Sequence, residues 1–221
     1  MDIIRFNVYR NPNIGIFLRS NDSHVLIPQG LSKNKVNIIK KYLDVSSLTI
    51  SIGGSHLIGA LTVMNNNAIM VSKLAEGYEI KKIEKQTGLN VVKLESKFTA
   101  IGNLIAVNDK GAIVSTLLTE KNVKQISESL QVPVKKMNIS SINLAGALIN
   151  ATNKGAIVHP GITKKEIEIV SEVLKVNVEP ATVNSGTPYV SSGITANSKN
   201  ILVGNQTSGP ELHILSKAFG I

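Results

Sequence analysis

Residues 102–114, with the sequence GNLIAVNDKGAIV, recur 44 residues later as residues 146–158, with the sequence GALINATNKGAIV. The same frame fits residues 15–27, 59–71 and 191–203, and successive copies start 44, 43, 44 and 45 residues apart. A period of this length is typical of architectures built from repeated structural units. The sequence therefore predicts one domain of five repeats, at approximately 11–52, 53–97, 98–141, 142–184 and 185–221.

Each repeat carries the same order of strand and helix signals. An apolar segment such as residues 57–64 leads into a turn of Asn, Asp, Ser, Lys or Gly, residue types that favour turns. A second apolar segment follows, and a helix then begins at a residue that can cap it. The predicted helix N-caps are Ser32, Glu76, Thr119, Thr163 and Ser208.

The predicted helices share one apolar stripe, because residues three and seven positions apart lie on the same helix face. Of the fifteen stripe positions only Thr87 is polar, so the pattern predicts five helices that each pack one face on a sheet. The stripes are Val36, Ile39 and Leu43; Ile80, Ile83 and Thr87; Val123, Ile126 and Leu130; Ile167, Val170 and Leu174; and Leu212, Leu215 and Phe219.

A third strand closes each of the first four repeats, at residues 47–51, 91–96, 134–140 and 178–183. The fifth helix is predicted to run to Ile221 and has no strand after it. Residues 2–10 form a spare strand-like segment before the first repeat. We therefore predict a closed, five-fold pseudo-symmetric α/β propeller of ββαβ units in which the N-terminal strand completes the last unit and covers its open edge.

Composition excludes several classes of function. The chain has 24 Lys and Arg against 15 Asp and Glu, a formal charge of +9, and it contains no Cys. Disulfides, thiolate metal sites and cysteine nucleophiles are thereby excluded. Four Tyr, four Phe and no Trp argue against stacking platforms for single-stranded nucleic acid. No apolar run of about 18 residues and no secretory leader pattern occur, which predicts a soluble, cytoplasmic protein.

None of the candidate chemical sites has the spacing of a catalytic motif. The four histidines are scattered over four repeats and predict no metal site: His24, His56, His159 and His213. The segment Gly53-Gly54-Ser55 precedes a strand-like segment rather than a helix, so it predicts a turn and not a phosphate site. Residues 207–212, TSGPEL, predict a capping box with Ser208 at the N-cap and Glu211 at the third helical position.

Lysines recur on the predicted helices. Most of these lysines lie outside the apolar stripe, which indicates helix faces exposed to solvent. The other interpretation is a surface that binds a phosphate-rich partner. They are Lys33, Lys35, Lys40, Lys41, Lys81, Lys82, Lys85, Lys121, Lys124, Lys164 and Lys165.

Seven motifs occur in the order found in one known family. They are Ile52-Gly53-Gly54-Ser55 with Leu57-Ile58-Gly59, Thr99-Ala100 with Gly102-Asn103-Leu104, Asn108-Asp109-Lys110-Gly111-Ala112, Thr152-Asn153-Lys154-Gly155, Val158-His159-Pro160, Asn197-Ser198-Lys199 and residues 207–212. Together they span essentially the whole chain and resemble translation initiation factor six, most closely its archaeal branch. The resemblance implies a monomeric, pentein-type ring with no enzymatic activity and no cofactor.

The resemblance also implies a partner. The family binds the inter-subunit face of the large ribosomal subunit near the sarcin–ricin loop RNA, chiefly against the universal large-subunit protein fourteen. It prevents association with the small subunit and acts in late large-subunit biogenesis. Carried over to this sequence, the ribosome-binding residues are Gly15, Gly59, Ala60 and Asn103, and, by repeat position, Ala147. Asn103 is the one with a polar side chain, so we expect it to contribute most.

Two other functions stay open at this stage. A basic ring could bind RNA or DNA non-specifically, which a steep dependence on salt would reveal. Five-fold α/β rings also include guanidine-modifying enzymes that use a Cys nucleophile in the central channel, and the lack of Cys argues against that class.

Overall fold

The computed structural model describes residues 2–220 and contains five three-stranded sheets over that range. The first strand of each unit lines the central axis: β2 (Arg19–Ser20), β5 (Thr62–Met64), β8 (Ile105–Val107), β11 (Ile149–Ala151) and β14 (Ile194–Ala196). The second strand lies in the middle of each sheet: β3 (His24–Pro28), β6 (Ala68–Val71), β9 (Ala112–Val114), β12 (Gly155–Val158) and β15 (Ile201–Gly204). The third strand is outermost: β4 (Ser46–Ile50), β7 (Asn90–Lys93), β10 (Val134–Lys136), β13 (Asn177–Pro180) and, for the fifth unit, β1 (Ile3–Phe6).

Five helices of eleven residues follow the second strands: α1 (Lys33–Leu43), α3 (Gly77–Thr87), α4 (Glu120–Leu130), α6 (Lys164–Leu174) and α7 (Gly209–Phe219). The first four lead into the third strand of the same unit, whereas the third strand of the fifth unit, β1, precedes the first unit in the chain. Each crossover makes the second and third strands parallel, whereas the first and second strands are antiparallel across a polar turn. All five predicted N-cap residues stand at the N-caps. The predicted stripes face the sheets, since the middle residue of each, for example Ile39 or Ile126, has no exposed surface.

The ring closes as predicted. Strand β1 pairs in parallel with β15, with Ile3 opposite Ile201 and Phe6 opposite Gly204. Each innermost strand contacts the next around the axis, including β14 against β2, which joins the last unit to the first. The chain is therefore a five-fold α/β propeller in which the sheet of the fifth unit combines β1 with β14 and β15.

The hydrophobic core is divided among the gaps between neighbouring units. Leu26, Leu48 and Ile50 of the first unit pack with Ile58, Ile69 and Ile83 of the second in one buried cluster. A corresponding cluster joins the last unit to the first through Leu202, Phe6 and Val25. Because every cluster needs residues from two units, no unit buries its apolar surface alone.

The structure corrects several predicted boundaries. Residues 57–64 are not one strand, because a helical turn, α2 (Ile58–Leu61), precedes β5. The same turn appears as Ile14–Ile16, Ile101–Asn103, α5 (Ala145–Leu148) and Val190–Gly193. Apolar residues surround it on most sides, so hydrophobic periodicity does not separate it from a buried strand.

The outer strands end earlier than predicted. The predicted strand over residues 2–10 ends at Phe6, because Tyr9 and Arg10 have φ of 53° and 63° and form a tight turn. The third strands likewise end at Ile50, Lys93, Lys136 and Pro180, before the hairpins that lead to the next unit. The last helix ends at Phe219, with Gly220 in the left-handed region, and its predicted extension to Ile221 lies outside the described residues. Within residues 2–220 no helix has the length and apolarity needed to cross a bilayer.

Candidate docking face

The two ends of the ring differ in chemistry. We call one the glycine end; it carries the helical turns at Gly15, Gly59, Gly102, Gly146 and Ser191, the hairpins between units and the N-termini of the five long helices. We call the other the asparagine end; it carries the turns at Asn21, Asn65, Asn108, Thr152 and Asn197 between the first and second strands. Sequence analysis predicted binding residues only at the glycine end.

Glycines at this end permit close approach between units. A Cβ atom on Gly59 would lie 1.8 Å from the carbonyl oxygen of Gly15, and one on Gly102 would lie 2.1 Å from that of Gly59. Any side chain there would force neighbouring backbones apart. The requirement for glycine at these positions therefore comes from the neighbouring unit and not from local dihedral angles.

The structure brings all five predicted residues around one shallow depression on the axis. Gly15 and Gly59 are buried in its wall, whereas Ala60, Asn103 and Ala147 are partly exposed at its rim. Ile16 and Ser192 complete the rim in the two remaining units, and Arg19 lies at its floor. The sequence analysis did not predict these three residues. Ile16 and Ser192 could have been predicted, because they occupy the same repeat position as Ala60, Asn103 and Ala147.

Exposed apolar side chains gather at the same end. Among the described residues, seven large hydrophobic side chains are exposed, and all but Ile38 lie in the hairpins, loops and first helical turns of the glycine end. These six are Tyr9, Leu57, Leu74, Tyr78, Leu117 and Tyr189. Exposed apolar surface concentrated on one side of a molecule is characteristic of a protein-interaction site.

Hydrogen bonds across unit boundaries hold the asparagine end. Asn108 accepts two N–H groups of its own turn at Oδ1, and its Nδ2 donates to the carbonyl oxygens of Thr152 (3.0 Å) and Leu174 (2.8 Å) in the next unit. Asn197 makes the same contacts to Asn21 and Leu43 and so closes the ring.

One residue further along each turn, a second ring of polar side chains surrounds the axis. Its members are Asp22, Asn66, Asp109, Asn153 and Ser198. The amide of Asn66 donates to both Asp22 (2.8 Å) and Asp109 (2.6 Å). Burial opposes ionisation of Asp22, but the donors from Ser198, Asn66 and Asn153 outweigh it and hold its pKa below the ordinary value.

The Gly53-Gly54 turn does bind an anion, but the anion belongs to the protein. The carboxylate of Glu79, at the third position of α3, accepts the N–H of Gly53 at 2.7 Å and the hydroxyl of Ser51 at 2.8 Å. The predicted capping box at Ser208 is present, and Glu211 also reaches the preceding hairpin through Thr182 and Gly186. These carboxylates therefore connect helix N-termini to the hairpins between units.

The remaining candidates are the histidines and the helix lysines. The histidines stay apart, and within residues 2–220 no three His, Asp or Glu side chains converge as a metal site requires. Most helix lysines are exposed, for example Lys33 and Lys81. Lys35 is an exception, because it packs 5.6 Å from the ring centroid of Phe6 and donates to Asn7.

The fold is a closed five-unit α/β propeller, and the end lined by glycines also carries the exposed apolar side chains. Residues 3–218 match the model of the eIF-6 family, and the chain belongs to that family.

Similarity extends over whole chains. A relative from Nitrosopumilus maritimus named translation initiation factor 6 is 53% identical over 219 residues, covering 99% of both chains. Proteins of the same name from Cenarchaeum symbiosum and Pyrococcus furiosus are 50% and 43% identical, each over at least 99% of both chains. Among solved structures, a dimethylarginine dimethylaminohydrolase aligns with 94% of this chain and 73% of its own, at 12% identity and a TM-score of 0.47.

Proposed function

We propose that this protein is a translation factor that binds the large ribosomal subunit at its inter-subunit face and prevents association with the small subunit. On this proposal it also acts in late large-subunit biogenesis, as a cytoplasmic monomer. The name shared by its full-length relatives supports the translation role. The finer assignment rests on the resemblance of its sequence motifs to the family and on the geometry of the glycine end.

One observation carries the choice of docking face. The rim residues Ala60, Asn103 and Ala147 surround a single depression, and six exposed apolar side chains lie at the same end of the ring. A rigid partner surface, for which we propose the universal large-subunit protein fourteen beside the sarcin–ricin loop, would cover both. Such docking needs shape complementarity over a standard-sized interface and no bond chemistry.

Steric exclusion is the proposed mechanism. A ring held together by inter-unit hydrogen bonds and glycine contacts keeps its face rigid, so little conformational entropy is lost on docking. With the glycine end on the large subunit, the body of the ring would occupy the volume that the small subunit needs. No covalent step and no cofactor enter this mechanism.

The alternative is a generic basic ring on RNA or DNA, and its exposed lysines are not confined to one end. Lys154 is exposed on a turn of the asparagine end, whereas Lys33 and Lys164 are exposed at helix N-termini of the glycine end. Non-specific binding would use such charges and weaken steeply with salt.

The proposal is tested by sedimentation with purified archaeal large subunits and by light scattering of subunit joining. We expect the protein to pellet with large subunits at near one copy each, to stay in the supernatant with small subunits, and to reduce joining. A protein that stays in the supernatant with large subunits at low salt, or that binds RNA duplexes as tightly, contradicts the proposal.

A further inference from the structure

The central channel contains a level at which three polar side chains each have one atom without a hydrogen-bond partner. Arg19, Asn150 and Thr195 occupy the same repeat position, one residue from each of three units, and Val63 and Ala106 occupy it in the other two. Within residues 2–220 six buried side-chain polar atoms have no hydrogen-bond partner, and three of them lie here: Arg19 Nε, Asn150 Oδ1 and Thr195 Oγ1. Buried polar groups are nearly always paired, so three orphans in one cavity indicate that something occupies it.

The charge of the residues around this space indicates which kind of ligand it would bind. Arg19 donates through Nη2 to the carbonyl oxygen of Gly59, but it forms no ion pair with any described carboxylate. None of the residues that line the channel at this level is acidic. A cation held away from bulk water without a counter-charge is costly, and although Arg19 keeps some exposed surface, desolvation lowers its pKa to about 10.

The nearest carboxylates do not compensate this charge by contact. Asp22 lies three residues beyond Arg19 along the chain, about 10 Å for an extended strand, and Asp109 belongs to the same ring of polar side chains. Their oxygens accept hydrogen bonds from Asn66, Asn153 and Ser198 at the asparagine end.

Size then limits the ligand. Thr195 is 3% exposed and Asn150 is 9% exposed, so both side chains are enclosed in the channel wall. The free volume at this level is about 30 Å³, which accommodates one or two water-sized species and no organic anion of several heavy atoms. The Arg19 guanidinium and the Thr195 hydroxyl supply N–H and O–H donors to that space, whereas the unpaired atom of Asn150 is its carbonyl oxygen, an acceptor that pairs with water rather than with an anion.

We propose that the channel binds one small inorganic anion of halide size, held by Arg19 and Thr195. The anion neutralises the guanidinium and completes the packing of the axis between the glycine end and the polar ring of Asp22. The site adjoins the glycine end, because Arg19 also lines the depression there, and its test uses the isolated protein.

Crystals of the full chain soaked in sodium bromide, with data collected at the bromine absorption edge, test the site directly. We expect an anomalous peak on the axis within hydrogen-bond distance of Arg19 and Thr195. In parallel, the melting temperature is measured at fixed ionic strength while bromide replaces gluconate, which is too large to enter. We expect a saturable rise on the order of 3 °C for a bound anion in about tenfold excess over its Kd.

Three variants distinguish anion binding in the channel from a general effect of halide on the protein surface. Arg19→Met should abolish the halide-dependent rise, Arg19→Lys should retain part of it, and Arg5→Met should leave it unchanged. Arg5 is a matched control because it is an exposed arginine that also donates to a backbone carbonyl, that of Thr207. If Arg19→Met fails to fold, the anomalous peak in the unmodified protein still decides the question.

Three results overturn the proposal. The first is a channel with no anomalous peak, which means that water alone pairs the orphan atoms. The second is a peak without any halide-dependent stabilisation, which means an adventitious ion only. The third is a halide response of equal size in Arg19→Met.

Discussion

Single residues in this ring are constrained by the neighbouring unit more than by their own segment. Gly59 lies in a helical turn that any residue could adopt, and its lack of a side chain is required only because the Gly15 carbonyl approaches it. Asn108 likewise serves its own turn and two carbonyl groups across the unit boundary. The repeat frame predicts which positions correspond, but contacts across the axis require three-dimensional placement.

Replacing Gly59 with alanine should destabilise the protein by about 2–3 kcal/mol, because a Cβ atom 1.8 Å from the Gly15 oxygen forces backbone shifts. Urea unfolding measures the change. Gly77→Ala is the control, since a Cβ atom there meets nothing within 4 Å, and we expect its stability to be equal or slightly higher. Equal effects of the two substitutions would contradict the close approach between units.

Replacing Asn108 with alanine should cost about 3 kcal/mol, because two buried N–H groups and two carbonyl groups lose their partner. Asn108→Thr should cost about half as much, since Thr152 in the fourth unit shows that a hydroxyl accepts the same two N–H groups. Chemical unfolding of both variants tests this order. A threonine variant no better than alanine would show that the turn contributes nothing.

Helices and hairpins are connected at defined points. The residue at the third helical position contacts the preceding hairpin or strand in each unit: Lys35, Glu79, Asn122, Glu166 and Glu211. The capping box at Glu211 could be predicted from sequence, because its partners are local. The bonds from Glu211 to Thr182 and Gly186 could not, because they depend on how the previous unit is placed.

Glu211 should make stability depend on acid pH. Burial would raise its pKa, but donors from Thr182, Ser208 and Gly186 outweigh burial and lower it to about 2 from 4.5. The ionised form therefore stabilises the fold above pH 4.5, and this contribution is lost as the pH falls toward 2. We expect Glu211→Gln to be less stable at pH 7 by about 2–3 kcal/mol and to lose less stability between pH 5 and 3.

Unfolding free energies across that pH range check the expectation. Glu168→Gln, at an exposed position of α6, is the control and should follow the unmodified protein. A Glu211→Gln variant whose stability declines as steeply as that of the unmodified protein would locate the acid sensitivity in other carboxylates.

At the scale of the whole molecule, the sequence predicts the number of units and the closing strand, because the 44-residue period and the spare strand are both visible in it. The strands were predicted to extend too far, because the apolar pattern continues through the adjoining helical turns and hairpins. The residues of the rim could be predicted from their repeat positions. The unpaired polar atoms of the channel could not, because they depend on how the five units pack.

Ring closure itself can be tested by permutation. Removing residues 2–10 should abolish cooperative unfolding, because β15 loses its partner and the core between last and first units loses Phe6. A permuted chain that starts at Asn11 and joins Ile221 directly to Asp2 should restore a melting transition near that of the unmodified protein. The other units join helix to third strand with two or three residues, a length that this junction reproduces. Cooperative melting of the truncated chain would contradict closure.

The most direct test of the proposed docking uses two matched substitutions and sedimentation with large ribosomal subunits. Asn103→Lys places a cation on the rim of the glycine end, and Asn67→Lys places one at the asparagine end, where Lys110, Lys154 and Lys199 already occupy the corresponding position in other units. We predict that Asn103→Lys weakens binding at least tenfold without lowering the melting temperature, and that Asn67→Lys binds normally. If both substitutions leave binding unchanged or strengthen it, the contact is generic attraction to RNA and the glycine end is not the docking face.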